Sequence, residues 1–168
     1  MRDHAEIYID IWDDPDFIEL SPGAQRLYFL LLSQRRLEYS GVLSLRPTMW
    51  TAMSSDTTED DIWDALGELI ETDYIVLDEH TQEVLIRSFF RRDVARVGKP
   101  GKMNANLVRS ALEACNRVDS MVIRAVLVRE IYRSAPLPFG TDESLRRFPD
   151  LSDPPSEQPP FEAPCEGG

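Results

Sequence analysis

The stretch 57–90, TTEDDIWDALGELIETDYIVLDEHTQEVLIRSFF, carries the strongest structural signals of this sequence. Two threonines followed by acidic residues predict the start of a helix, and apolar residues then recur at helical spacing up to Ile70. Two apolar runs, 74–78 and 83–90, predict strands because they are rich in β-branched and aromatic residues. The polar residues between the strands predict a turn, so the pair forms a hairpin.

The residues upstream of this stretch predict a further helix, a short strand and a second helix. Ser21 is a typical N-cap and Pro22 a typical first helical residue, and the apolar spacing that follows predicts a helix ending near Arg36. The run 42–45 predicts a short strand, and Pro47 begins a short helix. The order helix, strand, helix, turn, helix, hairpin predicts an α+β winged helix-turn-helix.

The chain divides into a predicted winged-helix domain and three further parts. The winged-helix domain covers residues 1–93. A basic connector rich in Gly and Lys follows at 94–103, and a two-helix C-terminal extension at 104–135. Such short helices must pack on each other, on the winged domain or on a second subunit, so a homodimer is one expectation. The acidic segment 136–168 holds eight of the twelve prolines and is predicted to be a disordered tail, either solubilising or partner-binding.

Charge is unevenly distributed along the chain. The formal net charge is −12, yet a basic region follows the second strand of the hairpin. A flexible basic arm can follow a DNA backbone or enter the minor groove. The alternative is that the connector docks onto the protein's own acidic helices, and charge counts do not separate the two. The predicted DNA contacts are Arg46, Arg87, Arg91, Arg92, Arg96, Lys99 and Lys102.

The third predicted helix, which would read the major groove in an ordinary helix-turn-helix protein, is acidic. Between Pro47 and His80 there are ten acidic residues and no Lys or Arg, so this region would repel phosphates. Its acidic face is either solvated or a surface for a basic protein partner. The residues opposite the apolar stripe are Asp60, Asp61, Asp64, Glu68 and Glu71.

Several function classes find no support in the sequence. Cys115 and Cys165 lie far apart and give neither a disulfide framework nor a structural zinc site. The two histidines, His4 and His80, stand in no catalytic arrangement, and no phosphate-binding glycine loop occurs. We therefore expect no catalysis, no cofactor and no metal. Neither a signal peptide nor a membrane-spanning run is present, which predicts a cytoplasmic location.

Four segments together resemble a known family. They are IWDDPDF at 11–17, LSPGAQRLY at 20–28, GVL at 41–43 and LIRSFFRRD at 85–93. The likeness, over roughly residues 4–133, is to the small winged-helix proteins of actinobacteria and their phages, which are similar in pattern to phage replication-initiation proteins. It implies a DNA-binding or replisome-organising role without catalysis. The acidic third helix departs from the mixed-charge recognition surface usual in that family.

Two functions follow as hypotheses. In the first, the protein binds double-stranded DNA through the wing and the basic connector and acts in replication or transcription control. In the second, the same fold is a non-catalytic protein-interaction module, which binds a host or replisome protein through the acidic third helix or the tail.

Overall fold

The computed structural model describes residues 4–90 and 105–134, which form a mixed α+β structure with six α-helices and one three-stranded antiparallel sheet. The predicted α+β class is confirmed. In chain order the elements are a 3-10 helix at Ile9–Asp13, α1 Pro15–Glu19, α2 Pro22–Leu32, β1 Val42–Ser44, α3 Pro47–Thr51, α4 Glu59–Glu71, β2 Ile75–Asp78, β3 Glu83–Ile86, α5 Ala105–Cys115 and α6 Met121–Ser134.

The sheet has the strand order β1-β3-β2, so β3 lies in the middle. In the β2–β3 hairpin Val76 pairs with Leu85, and on the other side of β3 Leu43 pairs with Val84. Gly41, just before β1, has a φ of +81°, and a Cβ there would lie 3.0 Å from the Phe89 Cβ. This position therefore requires glycine for both conformation and space.

The core between the helices is built around aromatic side chains, with α2 packed on α4. Phe17 is fully buried, and its ring centroid lies 5.5–5.9 Å from those of Trp12, Tyr28, Phe29 and Tyr74. Most of these pairs are edge-to-face, the arrangement that aromatic quadrupoles favour. The cluster joins α1, α2 and the start of the hairpin into one hydrophobic core.

Two elements end earlier than the sequence predicts. Helix α2 ends at Leu32 rather than near Arg36, because the Ser33 hydroxyl and the Gln34 amide both donate to the Leu30 carbonyl oxygen and the chain turns there. Strand β3 ends at Ile86 rather than Phe90. The chain turns at Arg87 and Ser88, so Phe89 and Phe90, which are both buried, lie beyond the strand.

The two C-terminal helices pack on each other, and α6 also packs against β2 and β3. Of the packing arrangements expected for them, the structure thus shows the one on each other, together with contacts between α6 and the sheet. At the start of α6, the Ser120 hydroxyl accepts from the Ile123 N–H. The carboxylate of Glu83, from β3, accepts from the backbone N–H groups of Asp119 and Ser120 at 3.0 and 2.7 Å. A side chain of the hairpin therefore caps α6.

Other expectations concern parts of the chain that the structure does not describe. The predicted connector 94–103 and the predicted tail 136–168 lie outside the described residues. Within the described ranges, every helix is too short or too polar to span a bilayer.

The contact between Glu68 and Ser21 gives a test of how α4 holds the start of α2. The Glu68 carboxylate accepts from the Ser21 backbone N–H at 2.6 Å and from its hydroxyl at 2.5 Å. We expect Glu68→Ala to lower the free energy of unfolding by about 1–2 kcal/mol, because both hydrogen bonds involve a charged acceptor. Urea denaturation measures this. The control Glu71→Ala, in the last turn of the same helix, should change it by less than about 0.5 kcal/mol.

Candidate nucleic-acid interface

Arg46 lies on the rim of a cleft of about 410 Å³, between the C-terminal end of α2, β1 and α3. Arg35 and Arg36, from the turn after α2, line the same cleft. All three residues are exposed. In residues 4–90 and 105–134, no carboxylate lies within ion-pair distance of any of the three guanidinium groups. The cleft therefore presents three cations that the described part of the protein does not neutralise.

The position of these arginines follows from how α2 and α3 are joined. The Arg26 guanidinium donates to the Met53 carbonyl oxygen at 3.3 Å, which ties the turn after α3 to α2. The Gln34 amide, which already donates to Leu30, also approaches the Met53 sulfur at 3.8 Å. Arg46 is the residue that precedes α3, and its carbonyl oxygen accepts from Trp50. The two walls of the cleft are thus held by side chain-to-backbone contacts.

The floor of the cleft is apolar. Trp50 is fully buried and Leu43 nearly so, and Leu30 is half-buried. Met49 and Met53, which are 39% and 48% exposed, complete this floor on its solvent side. A methionine side chain is flexible and polarisable, and it adapts to flat or irregular apolar partners. The site is therefore a cationic rim over a methionine-lined floor.

Arg87 lies outside this cleft and is used within the protein. Its guanidinium contacts the Asp73 carboxylate at 2.5 Å and the Glu130 carboxylate of α6 at 3.6 Å. The Arg87 side chain is 24% exposed and that of Glu130 only 12%. Arg87 therefore links the end of the hairpin to α6.

The remaining predicted DNA contacts follow β3 in the sequence. Of the seven, the structure describes two, Arg46 and Arg87, and does not bring them together. Arg91, Arg92, Arg96, Lys99 and Lys102 lie outside the described residues.

The acidic residues of α4 divide into two groups. Asp61 forms a capping box with Thr58, whose side chain and backbone hydrogen bonds lower the pKa of the Asp61 carboxyl. Glu68 is bound to Ser21, as described above. The other three, Asp60, Asp64 and Glu71, are exposed. Two of the five acids thus have intramolecular roles. Residue type and spacing alone did not distinguish these two acids from the other three.

The exposed side of α4 also carries apolar side chains. Trp63 is 36% exposed and Ile70 is 39% exposed. Gly67 lies between them at helical spacing, and a Cβ built there would meet no atom within 4 Å. This side of α4 is therefore acidic and partly apolar, with a shallow gap at Gly67.

The tip of the hairpin is held by local and tertiary contacts. The Asp78 carboxylate accepts from the backbone N–H groups of His80 and Thr81 at 2.9 and 3.3 Å. A hydrogen bond from Ser120 is the largest cause that lowers the pKa of Asp78. With Glu83 capping α6, both acids beside the turn serve the contact between hairpin and extension.

The described residues offer little for metal or nucleophilic chemistry. Among them, no three His, Cys, Asp or Glu side chains cluster as metal ligands would. Burial raises the pKa of the Cys115 thiol to about 12, so it stays protonated at neutral pH. The expected absence of catalysis remains a prediction.

Comparison with known proteins gave no relative. A scan against protein-family models, a search of curated proteins and a search of solved structures each found no match. The resemblance to winged-helix phage proteins therefore remains a prediction.

The methionines of the cleft were not among the site residues predicted from the sequence. The available signal was weak: Met49 and Met53 are four residues apart in and just after a short helix that follows Arg46. Only the packing of α3 shows that both side chains reach one cleft.

The two roles assigned to arginine here predict different effects on stability. Arg87→Ala removes the arginine that contacts the mostly buried Glu130 from the hairpin. We therefore expect the free energy of unfolding to fall by about 1–2 kcal/mol. Arg46→Ala removes an exposed residue, and we expect less than about 0.5 kcal/mol. Urea denaturation of both variants measures the difference. Equal effects would show that the Arg87–Glu130 contact does not stabilise the fold.

Proposed function

We propose that this protein is a winged helix-turn-helix DNA-binding protein that acts in replication or transcription control. The order of elements supports the fold: α2, β1, α3 and α4 precede the β2–β3 hairpin, and β1 pairs with β3 to complete the sheet. In this assignment α4 occupies the position of the recognition helix, the β2–β3 hairpin is the wing, and α5 and α6 are an extension packed on the wing.

One observation carries the DNA-binding function: three exposed arginines share one cleft without a carboxylate partner among the described residues. The chain has 30 acidic residues, enough to neutralise every cation. Arg87 and Arg117 do pair with carboxylates. A guanidinium group that keeps its donors free matches the oxygens of a phosphate, because its planar fork can donate two parallel hydrogen bonds.

The charge of α4 argues that affinity comes from the cleft rather than from inserting this helix into the major groove. Asp60, Asp64 and Glu71 would face phosphates at short range, where salt screens them little. In the proposal, Arg35, Arg36 and Arg46 contact the DNA backbone. Arg91, Arg92, Arg96, Lys99 and Lys102 remain predicted contacts, and Arg87 has a structural role.

The test is DNA binding by the variant Arg35→Ala/Arg36→Ala/Arg46→Ala. A fluorescence-anisotropy titration of random duplex DNA at several salt concentrations gives the affinity and its salt dependence. Each lost phosphate contact removes about 0.9 from the slope of log K against log salt. We therefore expect the slope to fall by about two to three units, with weaker binding of every sequence.

The control is Arg109→Ala/Arg129→Ala, which removes two exposed arginines of α5 and α6 that have no carboxylate within ion-pair distance in the described part of the chain. This variant should bind like the parent. An unchanged slope for the cleft variant, or an equal fall for both variants, would reject the cleft as the DNA contact.

A second candidate function is favoured by the exposed side of α4. Trp63 and Ile70 are large apolar side chains left partly open between carboxylates. Such a surface is typical of a site for a protein partner with apolar and basic side chains. In this function the fold is a non-catalytic interaction module, and DNA binding is weak or absent.

Neutralising α4 tests whether this helix lies against the DNA. The variant Asp60→Asn/Asp64→Asn/Glu71→Gln keeps the shape of each side chain but removes its charge. If α4 faces away from the DNA, we expect the duplex affinity of this variant to stay within about threefold of the parent, since distant charges are screened. A rise of more than about tenfold in the same anisotropy assay would show that α4 lies against the DNA and is not the free protein-binding surface.

A further inference from the structure

We propose that the cleft between α2, β1 and α3 receives an unpaired base of single-stranded DNA, while Arg35, Arg36 and Arg46 hold the flanking phosphates. This inference rests on the proposed function, because both use the same arginines. It adds the form of DNA that the site prefers.

The volume and lining of the cleft favour a ligand with an apolar group. A volume of about 410 Å³ is within the range of pockets that enclose small organic groups. Phosphate binding by itself needs cations at the surface, not a recess with an apolar floor. Met49, Met53 and Leu30 form that floor above the buried Trp50. A second, apolar group must therefore accompany the phosphate.

Single-stranded and duplex DNA differ in whether the flat faces of their bases are accessible to a protein. In a duplex the flat faces of the bases are stacked inside the helix, so only edges and backbone reach a protein. In a single strand each base can turn outward and lay its face on a side chain. Thioether sulfur makes favourable contacts with aromatic rings, so Met49 and Met53 suit such a face.

The arrangement of the arginines around the floor also matches a nucleotide within a strand. A nucleotide within a strand has a phosphate on each side of its apolar ring. The cleft has the complementary arrangement, with Arg35 and Arg36 on the α2 side and Arg46 on the α3 side. An acidic peptide would satisfy the arginines but, without an aromatic residue, would leave the floor empty.

The shape of the floor is held by the protein itself. Met53 is fixed at its carbonyl oxygen by Arg26 and at its sulfur by Gln34. These contacts hold the end of α3 against α2, so this wall of the cleft is in place before a ligand arrives, which lowers the entropic cost of binding.

The experiment compares two fluorescein-labelled probes with the full-length chain: an oligo-dT and a random duplex of the same length. We expect the oligo-dT to bind more tightly than the duplex at the same salt concentration. The variant Met49→Ala/Met53→Ala should weaken oligo-dT binding by about tenfold, from the loss of two sulfur–aromatic contacts, and should weaken duplex binding clearly less, because the arginines make the proposed duplex contacts. The exposed Met121→Ala on α6 is the matched control and should bind both probes like the parent.

The outcomes separate this inference from the proposed function. If the arginine variant loses binding to both probes and the methionine variant changes neither, the cleft binds DNA through phosphates alone and the inference is overturned while the function stands. Equal or tighter binding of the duplex, or a poly-glutamate peptide that displaces oligo-dT at equal concentration, also overturns it. If neither probe binds the parent, both fail. Thermal melts of the methionine variant check that it is folded, which is expected because both side chains are partly exposed, at 39% and 48%, and lie outside the fully buried core.

Discussion

Burial of the Trp50 indole is the contact on which the site depends. Helix α3 is only five residues long, so it has little intrinsic stability and must be held by packing. Trp50 supplies the largest fully buried side chain in the described core, and α3 packs on α4. Because Arg46, Met49 and Met53 are all within four residues of Trp50, its burial sets where the rim and the floor of the cleft lie.

The contact between the hairpin and α6 changes what the hairpin can do. Glu83 caps α6, Asp78 is stabilised as a carboxylate by Ser120, and Arg87 is paired with Glu130. Each of these charged groups is used to join the extension to the sheet. A hairpin held in this way by a helix is less free to follow a DNA backbone. The proposed backbone contacts therefore lie not at Arg87 but near β1, the edge strand on the other side of β3 from β2, and at α3.

A net charge of −12 and DNA binding are compatible because charge acts locally at short range. Beyond about 8–10 Å exposed charges are screened at physiological salt, so the carboxylates on α4 count only if α4 lies against the DNA. The acids also have structural tasks: Asp61 and Glu68 cap helices, and Glu38 pairs with Arg117. The acidic composition would mainly slow the approach of DNA and make binding sensitive to salt.

The order of helices and strands from α2 onward could be predicted from the sequence alone, because N-caps, prolines and apolar spacing act within a few residues; Ser21, Pro47 and Thr58 begin the helices where expected. The 3-10 helix and α1 before them were not predicted. Which charged side chains have an ion-pair partner could not be predicted. Arg87 and Arg46 look alike in sequence, yet of the two only Arg87 contacts carboxylates of the described residues, one of them on a helix far along the chain. The α2 boundary, the capping of α6 by Glu83 and the methionine floor also depend on residues that meet only after the elements pack. Local periodicity therefore determined the elements, and tertiary packing decided the site, because ion pairs and clefts form between residues that are distant in sequence.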